Sequence, residues 1–479
     1  MKKYSHYVSK ETIERIHEQS LRVLKEIGVR FENPRALDLL AKNGVKLDGC
    51  IAYFDEETVV NAMKLAPSVF ELTSNTKGNL TIGNESRITM PSGGPVYITE
   101  NGVIRKTVNQ DIINFLKLTS TSDEIGYQYI DFLPNDDHLT EDQKIYASEA
   151  LLLKYGKQPA CIDPDTFLMD EGKIYNATLK SIDLIRKFEG IEDSEKHINS
   201  FCVNSISPLC YDFAPLEKMF AFCEQNQPLW FSPCAMPGMT APPSVMATLV
   251  MTNAEILAIN ALAQMIKPGV PVIYGNTSAS TNLRTLLLSF GAPETMLMCY
   301  ATAAMSDFYD VPCRTGGAQS DAKDTDYQSG AESMFMIQSC MECGTDLIYH
   351  ASGMMGSMNL YSYEKFILDE ECIAFARRMV QGIDPSEEKI CFEALKKAGP
   401  RGSFITGRTP KMYREEFYLP KYFNKQDVNV WQNEGSHSVL EVARKAVDER
   451  IESYAQPDIT KEQQELLNPY LPPEYKESI

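Results

Sequence analysis

Apolar residues recur at three- and four-residue spacing from the start of the chain. Ile13, Ile16, Leu21, Leu24 and Ile27 trace one face of a helix that Gly28 stops. Asn33-Pro34 opens a second helix through Leu39 and Leu40, closed by Asn43-Gly44, and Asp55 caps a third, from Glu56 to Leu65, ended by Pro67. From Phe70 to Thr107 β-branched and turn residues take over, which predicts short strands around the loop Pro91-Ser-Gly-Gly-Pro95.

Beyond about residue 110 the pattern alternates. Short β-rich runs stand at 127–132, 159–162, 198–206, 229–233, 270–274, 311–314 and 347–350. Helical periods lie between them at 141–155, 173–188, 216–225, 244–266, 293–308, 326–343 and 363–380. Repeated strand-then-helix units predict parallel α/β architecture. An open doubly wound sheet and a closed (β/α)8 barrel both fit. The barrel is favoured because no GxGxxG turn follows the first strand and polar residues cluster at the strand ends. Seven strands are legible and an eighth is not. The reading divides the chain into an extension (1–108), a barrel (109–455) and a proline-punctuated tail (456–479), expected to lie as an extended arm over the surface or a neighbouring subunit.

Composition narrows the possible partners. The chain has 479 residues, 43% hydrophobic and 23% charged, with a net charge of −19. It can bury a large core and is a poor candidate for nucleic acid or an anionic membrane surface. The most apolar stretch, 245–266, is interrupted by Asn253, Glu255, Asn260 and Gln264, so it reads as a buried helix. Twelve scattered cysteines and no signal peptide point to reduced thiols in a cytoplasmic protein, and a homo-oligomer is expected.

The usual catalytic signatures are missing. Cys340-Met-Glu-Cys343 is a CxxC without a second half and reads as helix packing. No HExxH, clustered metal ligands, GxSxG elbow or P-loop is present, so no metal centre is expected. What remains are polar residues at strand ends: Asp131, Asn204 with Ser205 and Ser207, Asn276 with Thr277, Arg314 with Thr315, and His350. Any one of them suits surface or capping duty, but their convergence matches the rim on which barrel active sites sit. Arg314 closes an apolar strand, where it either pairs with Asp321 or Asp324 or clamps a ligand carboxylate. His350 is either a satisfied core histidine or a ligand contact. Tyr97 is either packing or an aromatic wall, and Tyr349 and Phe132 are further aromatic candidates.

Longer motifs add a resemblance. The run Cys313 to Glu332 (CRTGGAQSDAKDTDYQSGAE), the run Leu347 to Gly353 (LIYHASG), Ser362-Tyr-Glu-Lys365 and Gly28 to Pro34 (GVRFENP) resemble the trimethylamine methyltransferase superfamily over nearly the whole chain. Founding members carry pyrrolysine in the barrel. Here 314–350 holds only standard residues, so the resemblance is to the non-pyrrolysine branch, which acts on quaternary amines such as proline betaine and glycine betaine.

The resemblance implies a (β/α)8 barrel that passes a methyl group to the cobalt of a separate corrinoid protein, in an anaerobic setting, with no cofactor held by this chain. Arg314 and His350 sit in the matching motifs and suit a substrate carboxylate, Tyr97 is the first aromatic candidate for the cation, and the strand-end residues Asp131, Asn204 and Asn276 with Tyr349 are candidates for the same pocket. A quaternary ammonium leaves as a neutral amine, so such a protein needs chiefly to orient its substrate, an effect worth ~7–11 kcal/mol in favourable cases. The competing readings are a barrel lyase or hydrolase working by acid–base chemistry through Asp131 or His350, and a betaine-binding protein without catalysis.

Overall fold

Five of the seven runs read as strands are regular strands of one parallel sheet in the computed structural model, which describes residues 3–479 apart from Asn101, Leu168 and Thr406. They are Phe201–Val203, Leu229–Phe231, Val272–Gly275, Cys313–Thr315 and Leu347–Tyr349. A sixth, Ile88–Met90, comes from the segment before residue 109 and pairs with Leu347–Tyr349. Numbered along the chain as β1 (Ile88–Met90) to β6 (Leu347–Tyr349), they lie in the order β1-β6-β5-β4-β3-β2, and every pairing is parallel. β1, β3, β4, β5 and β6 are buried at every position, as expected of parallel strands covered on both faces.

The other two runs, 127–132 and 159–162, are not regular strands; they meet in one parallel bridge, Gln128 with Ala160. Their hydrogen bonds are nonetheless directed. Gly126 N donates to Thr89 O at 3.1 Å, Gln128 N to Pro159 O at 2.9 Å, and Cys161 N to Gln128 O at 2.9 Å. On the far side a side chain replaces the ladder: Ile162 N donates to Asn199 Oδ1 (2.9 Å) and Asn199 Nδ2 to Ile162 O (2.6 Å). Pro159 has no N–H to offer, which helps explain why no longer ladder forms here.

Eight helices follow these units: α1 (Asn109–Ser120), α2 (Glu141–Tyr155), α3 (Glu171–Glu189), α4 (Phe213–Glu224), α5 (Val245–Ile266), α6 (Pro293–Tyr309), α7 (Tyr327–Cys343) and α8 (Tyr363–Gln381). α5 is long and apolar enough to cross a membrane, yet most of it is buried against neighbouring helices. Its polar residues show why it belongs to a core. Asn253 bonds Ser20 and Tyr274, and Glu255 accepts from Ser205, Ser207 and Leu209 N.

Before the sheet, two helices start where Asn33 and Asp55 predict, those side chains accepting from Ala36 and Thr58 N, and the first helix is capped by Ser9, which accepts from Thr12 N. The tail is less extended than its prolines suggest. It contains the helix Lys461–Leu467 and lies on its own chain, burying Leu467, Leu471 and Tyr475. Gln143 of α2 donates to Leu471 O at 2.9 Å.

Candidate functional site

The segments that leave the carboxyl ends of the strands enclose a cavity of about 290 Å³. After β1 come Ser92 and Gly94; after 127–129 comes Asp131; after 160–162, Asp163. Asn204 follows β2, Ser232 and Cys234 follow β3, Thr277 follows β4, Arg314 lies in β5, and Tyr349 with His350 closes β6. The Pro-Ser-Gly-Gly-Pro loop needs its glycines here. A Cβ on Gly93 would stand 2.7 Å from Asp131 N, and one on Gly94 would stand 2.8 Å from the Asp131 Cβ.

Arg314 is almost wholly buried (1% exposed). Its Nη1 donates to Asn276 O at 3.2 Å and to the Thr277 hydroxyl, while its buried Nε has no partner. The guanidinium lies between two rings, 4.9 Å from the Tyr349 centroid and 5.6 Å from that of Trp230. Neither carboxylate proposed as an alternative partner is used. Asp321 instead holds Ser289 and the backbone of Phe290 and Gly291, and Asp324 caps Thr325. Among the described residues, no carboxylate forms an ion pair with Arg314. Burial alone pulls its pKa down.

The opposite charge is Asp131. Its side chain lines the cavity at its exposed edge, and its partner is the neutral hydroxyl of Tyr129. Desolvation raises its pKa, with Asp163 and Asp165 adding to the shift. The neighbouring Asp163 is different, because both its oxygens accept from Lys218 Nζ, at 2.8 and 2.9 Å. Asp131 and Arg314 are therefore the two uncompensated charges of the cavity, of opposite sign, and they do not pair with each other.

The wall between them is aromatic and soft. Tyr349 meets Trp230 edge-on at 5.3 Å and Tyr129 edge-on at 6.1 Å. Cys161, Cys202 and Cys234 also line it. Burial pushes all three thiols up, Cys202 to about 12, so they remain protonated and apolar. His350 stacks on Tyr349 at 3.7 Å, is buried, and leaves Nδ1 without a partner. Desolvation and then Arg314 depress its pKa well below 6.5, so it is neutral at pH 7 and can donate one hydrogen bond. Its backbone is left-handed, at φ 57°, a conformation that non-glycine residues adopt at a cost of order 1–3 kcal/mol.

The cavity thus brings together Arg314, His350, Asp131, Asn204 and Tyr349. It does not include Tyr97, which is 40% exposed on the strand Tyr97–Glu100, paired with Leu360–Ser362. Ser92 and Gly94, earlier in the same loop, reach the cavity instead. Phe132 also lies outside the lining. Asn276 stands behind the wall, its side-chain amide bonded to Thr252 and Ser278, and only its backbone touches Arg314, the N–H donating to Arg314 O and the carbonyl accepting from Arg314 Nη1. Sequence reasoning missed Tyr129, Trp230 and Asp163. Tyr129 was the most accessible of these, since strand alternation puts it on the same face as Asp131. Cys340 and Cys343 are buried in α7, where Cys340 donates to Gly316 O, and among the described residues no cluster of ligands could hold a metal ion. A larger groove of about 700 Å³ runs along Val23, Ile27, Met246 and Met251, mostly apolar with Arg15, Gln19, Thr240 and Ser244 in its lining, away from the strand ends.

Comparison with known proteins agrees with this architecture. Residues 2–477 match the trimethylamine methyltransferase (MTTB) family. The chain is 36% identical to a proline betaine:corrinoid methyltransferase of Eubacterium limosum, over 99% of this chain and 98% of the relative. It is 34% identical to an L-carnitine:corrinoid methyltransferase of the same organism, over 99% and 98%. It is 33% identical to a glycine betaine methyltransferase of Desulfitobacterium hafniense, over 89% and 88%. Among solved structures, the hydroxylamine complex of MtmB shares the fold with a TM-score of 0.52 at 10% identity, covering 93% of this chain and 88% of that one.

Proposed function

The chain belongs to the trimethylamine methyltransferase family, and from that membership we propose that it moves a methyl group from a quaternary ammonium carboxylate to the cobalt(I) of a separate corrinoid protein. Its relatives bear the names of proline betaine, L-carnitine and glycine betaine enzymes. The observation that carries the substrate class is the pair of uncompensated charges, Arg314 and Asp131, facing one small cavity across an aromatic wall. Left empty, a buried guanidinium of this kind is costly, and Asp131 has only a hydroxyl to bond. A zwitterion with a fixed cation and a carboxylate satisfies both.

Each residue then has a task. Arg314 receives the carboxylate, with its free Nε and remaining N–H groups as donors, and the neutral His350 adds one more. A quaternary ammonium has no N–H, so the aromatic wall, with Tyr129 nearest Asp131, holds it at about 0.5–2 kcal/mol per contact, and Asp131 supplies the counter-charge. The corrinoid is the methyl acceptor and supplies the nucleophile. A cavity near the small end of ligand pockets, which run roughly 300–1,000 Å³, has no room for a corrin ring. The acceptor therefore approaches at the mouth, and the methyl to be transferred faces outward. The amine departs neutral, so the protein needs no acid or base at the nitrogen.

The scaffold fits the same reading. We take the segments 127–129 and 160–162 to complete β1–β6 into an eight-membered ring, supported by their bonds to Thr89, to each other and to Asn199. On this reading the extension ends before Ile88 and the barrel runs through α8, with the chain beyond it packed outside. The free thiols suit a reducing cytoplasm.

The test mixes the protein, a betaine and a reduced corrinoid protein, and follows loss of the cobalt(I) absorbance. Demethylated product without corrinoid protein points to acid–base chemistry. Betaine binding with no cobalt methylation by any cognate corrinoid protein leaves a binding protein.

A further inference from the structure

α8 begins with a charge that its position does not favour. Lys365 stands in the first turn of the helix Tyr363–Gln381, behind the cap Ser362, whose hydroxyl accepts from Lys365 N at 3.1 Å. A helix N-terminus carries partial positive charge and favours anions, so an ammonium there needs a compensating partner. The partner is Asp369, one turn on, which accepts from Lys365 Nζ at 2.6 Å. Both side chains are buried, 1% and 3% exposed. Replacing a buried ion pair by apolar residues of similar volume is often neutral or stabilising, so stability alone does not account for one. What else the two groups bond does.

Each reaches a different strand-end loop. Lys365 Nζ donates to Ala318 O at 2.6 Å, in the loop that follows Arg314 of β5. Asp369 Oδ2 accepts from Gly353 N at 2.8 Å, in the segment that follows β6 and His350. The two loops also grip each other. Ala318 N donates to His350 O at 3.0 Å, and Ser333 of α7 donates a second bond to Ala318 O, at 3.1 Å. Gly317 lies so close to the second loop that a Cβ on it would stand 2.6 Å from Ala351 Cα. Ala318 is thus a crossing point: its N–H holds His350 and its carbonyl is held by Lys365.

The strain at His350 lies between these ties. Its left-handed backbone, at φ 57°, persists only where the surroundings over-determine it. Ala351 N, on its far side, donates to Met90 O of β1 at 2.9 Å. With β6 before it, Ala318 beside it, Met90 after it and Gly353 beyond, His350 is fixed at each step. Lys365 and Asp369 supply the charged ties among these, and neither lines the cavity.

We propose that Lys365 and Asp369 are a positioning pair, which holds the His350 ring at the carboxylate end of the cavity without touching the substrate. The proposal rests on the reading of the site given above, in which Arg314 and His350 receive a carboxylate while Asp131 and the aromatic wall receive the cation. The pair acts on one end only. Loosening it frees the segments 317–319 and 350–353, but leaves Arg314 and Tyr349 in their strands and Asp131 beside Tyr129 in a different segment. The carboxylate end therefore loses His350, and the cation end keeps its parts.

The test removes both charges at once in Lys365→Met/Asp369→Leu, so that neither is left buried alone. Calorimetry on the full-length variant is expected to show glycine betaine bound roughly ten-fold more weakly than by the wild type, as on losing one donor to a carboxylate. Choline, which lacks the carboxylate, is expected to bind within about two-fold of the wild type. Proton NMR supplies a second readout. The His350 ring proton, one of six histidine signals and identified by its loss in His350→Asn, is expected to lose the upfield shift that stacking on Tyr349 gives it. Should the double variant not fold, Lys365→Gln/Asp369→Asn keeps a neutral polar pair too short to hold Ala318 O, and is expected to lower the betaine-to-choline affinity ratio roughly three-fold. An equal loss for both ligands would mark a purely structural pair and overturn the proposal, as would an unchanged ratio. A fall in the ratio with the His350 signal unmoved would place the effect on another residue and also overturn it. A wild type that binds betaine no better than choline overturns the reading of the site itself, and the proposal with it.

Discussion

Arg314 lies over the ring of Tyr349, its guanidinium carbon 4.9 Å from the centroid, and among the described residues no carboxylate pairs with it. Tyr349 in turn carries His350, stacked on its own ring with centroids 3.7 Å apart, just past the end of β6. The arginine is thus held by a ring, a carbonyl and a hydroxyl, which fix its direction without neutralising it. That is the state of a group waiting for an anion.

Arg314→Ala should lower kcat/KM for a betaine by about 2–4 kcal/mol in transition-state terms, as expected on removing one partner of a desolvated charge pair. Arg314→Lys should recover only part, because a point charge cannot make the forked contact and loses the stacking on Tyr349 and Trp230. Steady-state kinetics on folded variants check this, and unchanged kcat/KM in Arg314→Ala would remove the clamp.

Asp131 gives the cation end a pH signature. Its pKa lies above the ordinary 3.8 because burial disfavours the carboxylate. A bound quaternary ammonium favours the carboxylate, so binding below the free-state pKa must first expel a proton. Betaine affinity should therefore weaken as pH falls, approaching ten-fold per unit below that pKa. Asp131→Asn should bind more weakly near neutrality and lose this acid limb. Calorimetric titration of both proteins across the acid range decides it, and identical acid limbs would assign the effect elsewhere.

Much of the scaffold was legible because periodicity and caps are local. Gly28, Asn43-Gly44 and Gly344 close helices where the pattern says they should, and the alternation after residue 110 gives the α/β class directly. What escaped was non-local. Ile88–Met90 is a three-residue strand whose role depends on its partner Leu347–Tyr349, some 260 residues later, and no run of three can reveal that. The segment 159–162 reads as a strand, yet the amide of Asn199 supplies its far-side pairing. In the site, Arg314 and His350 stood out because polar groups at the ends of apolar strands are conspicuous. Trp230 did not, because a tryptophan inside Leu-Trp-Phe reads as core until the alternation between neighbouring strands is known. Tyr97 misled because a glycine-rich loop was visible but its direction was not.

His350 should tax stability in acid. A histidine whose folded pKa is depressed binds fewer protons than the unfolded chain, so stability is complete above about pH 6.5 and falls as pH drops below it, until the folded pKa is reached. His350→Asn keeps a residue that tolerates the left-handed backbone and removes the titration. Denaturant unfolding from pH 7 to 5 should show a shallower decline for the variant. His17 and His197 are also depressed and remain in both proteins, so the difference between the two curves isolates His350. Parallel curves would show that the ring does not lose its proton-binding ability on folding.

The substrate must satisfy both ends of the cavity at once, which separates compounds that resemble each other. Choline keeps the permanent cation and replaces the carboxylate by a hydroxyl, so it leaves Arg314 buried and unpaired. Trimethylamine lacks the carboxylate as well, and as a neutral amine it would have to release its methyl with an amide anion as leaving group, whereas a quaternary ammonium releases a neutral amine. Sites built around a buried charge reject ligands that cannot pair with it far more strongly than apolar pockets reject a missing methylene. Proline betaine, glycine betaine and carnitine should therefore methylate the corrinoid protein, at rates set by how well each fills about 290 Å³, while choline and trimethylamine should fall below them by at least a hundred-fold in kcat/KM. In Arg314→Ala the gap between glycine betaine and choline should shrink, since the penalty on choline comes from that residue. Cobalt(I) loss measured across the five compounds with wild type and variant checks both statements, and equal turnover of choline by the wild type would refute the two-charge account of the site.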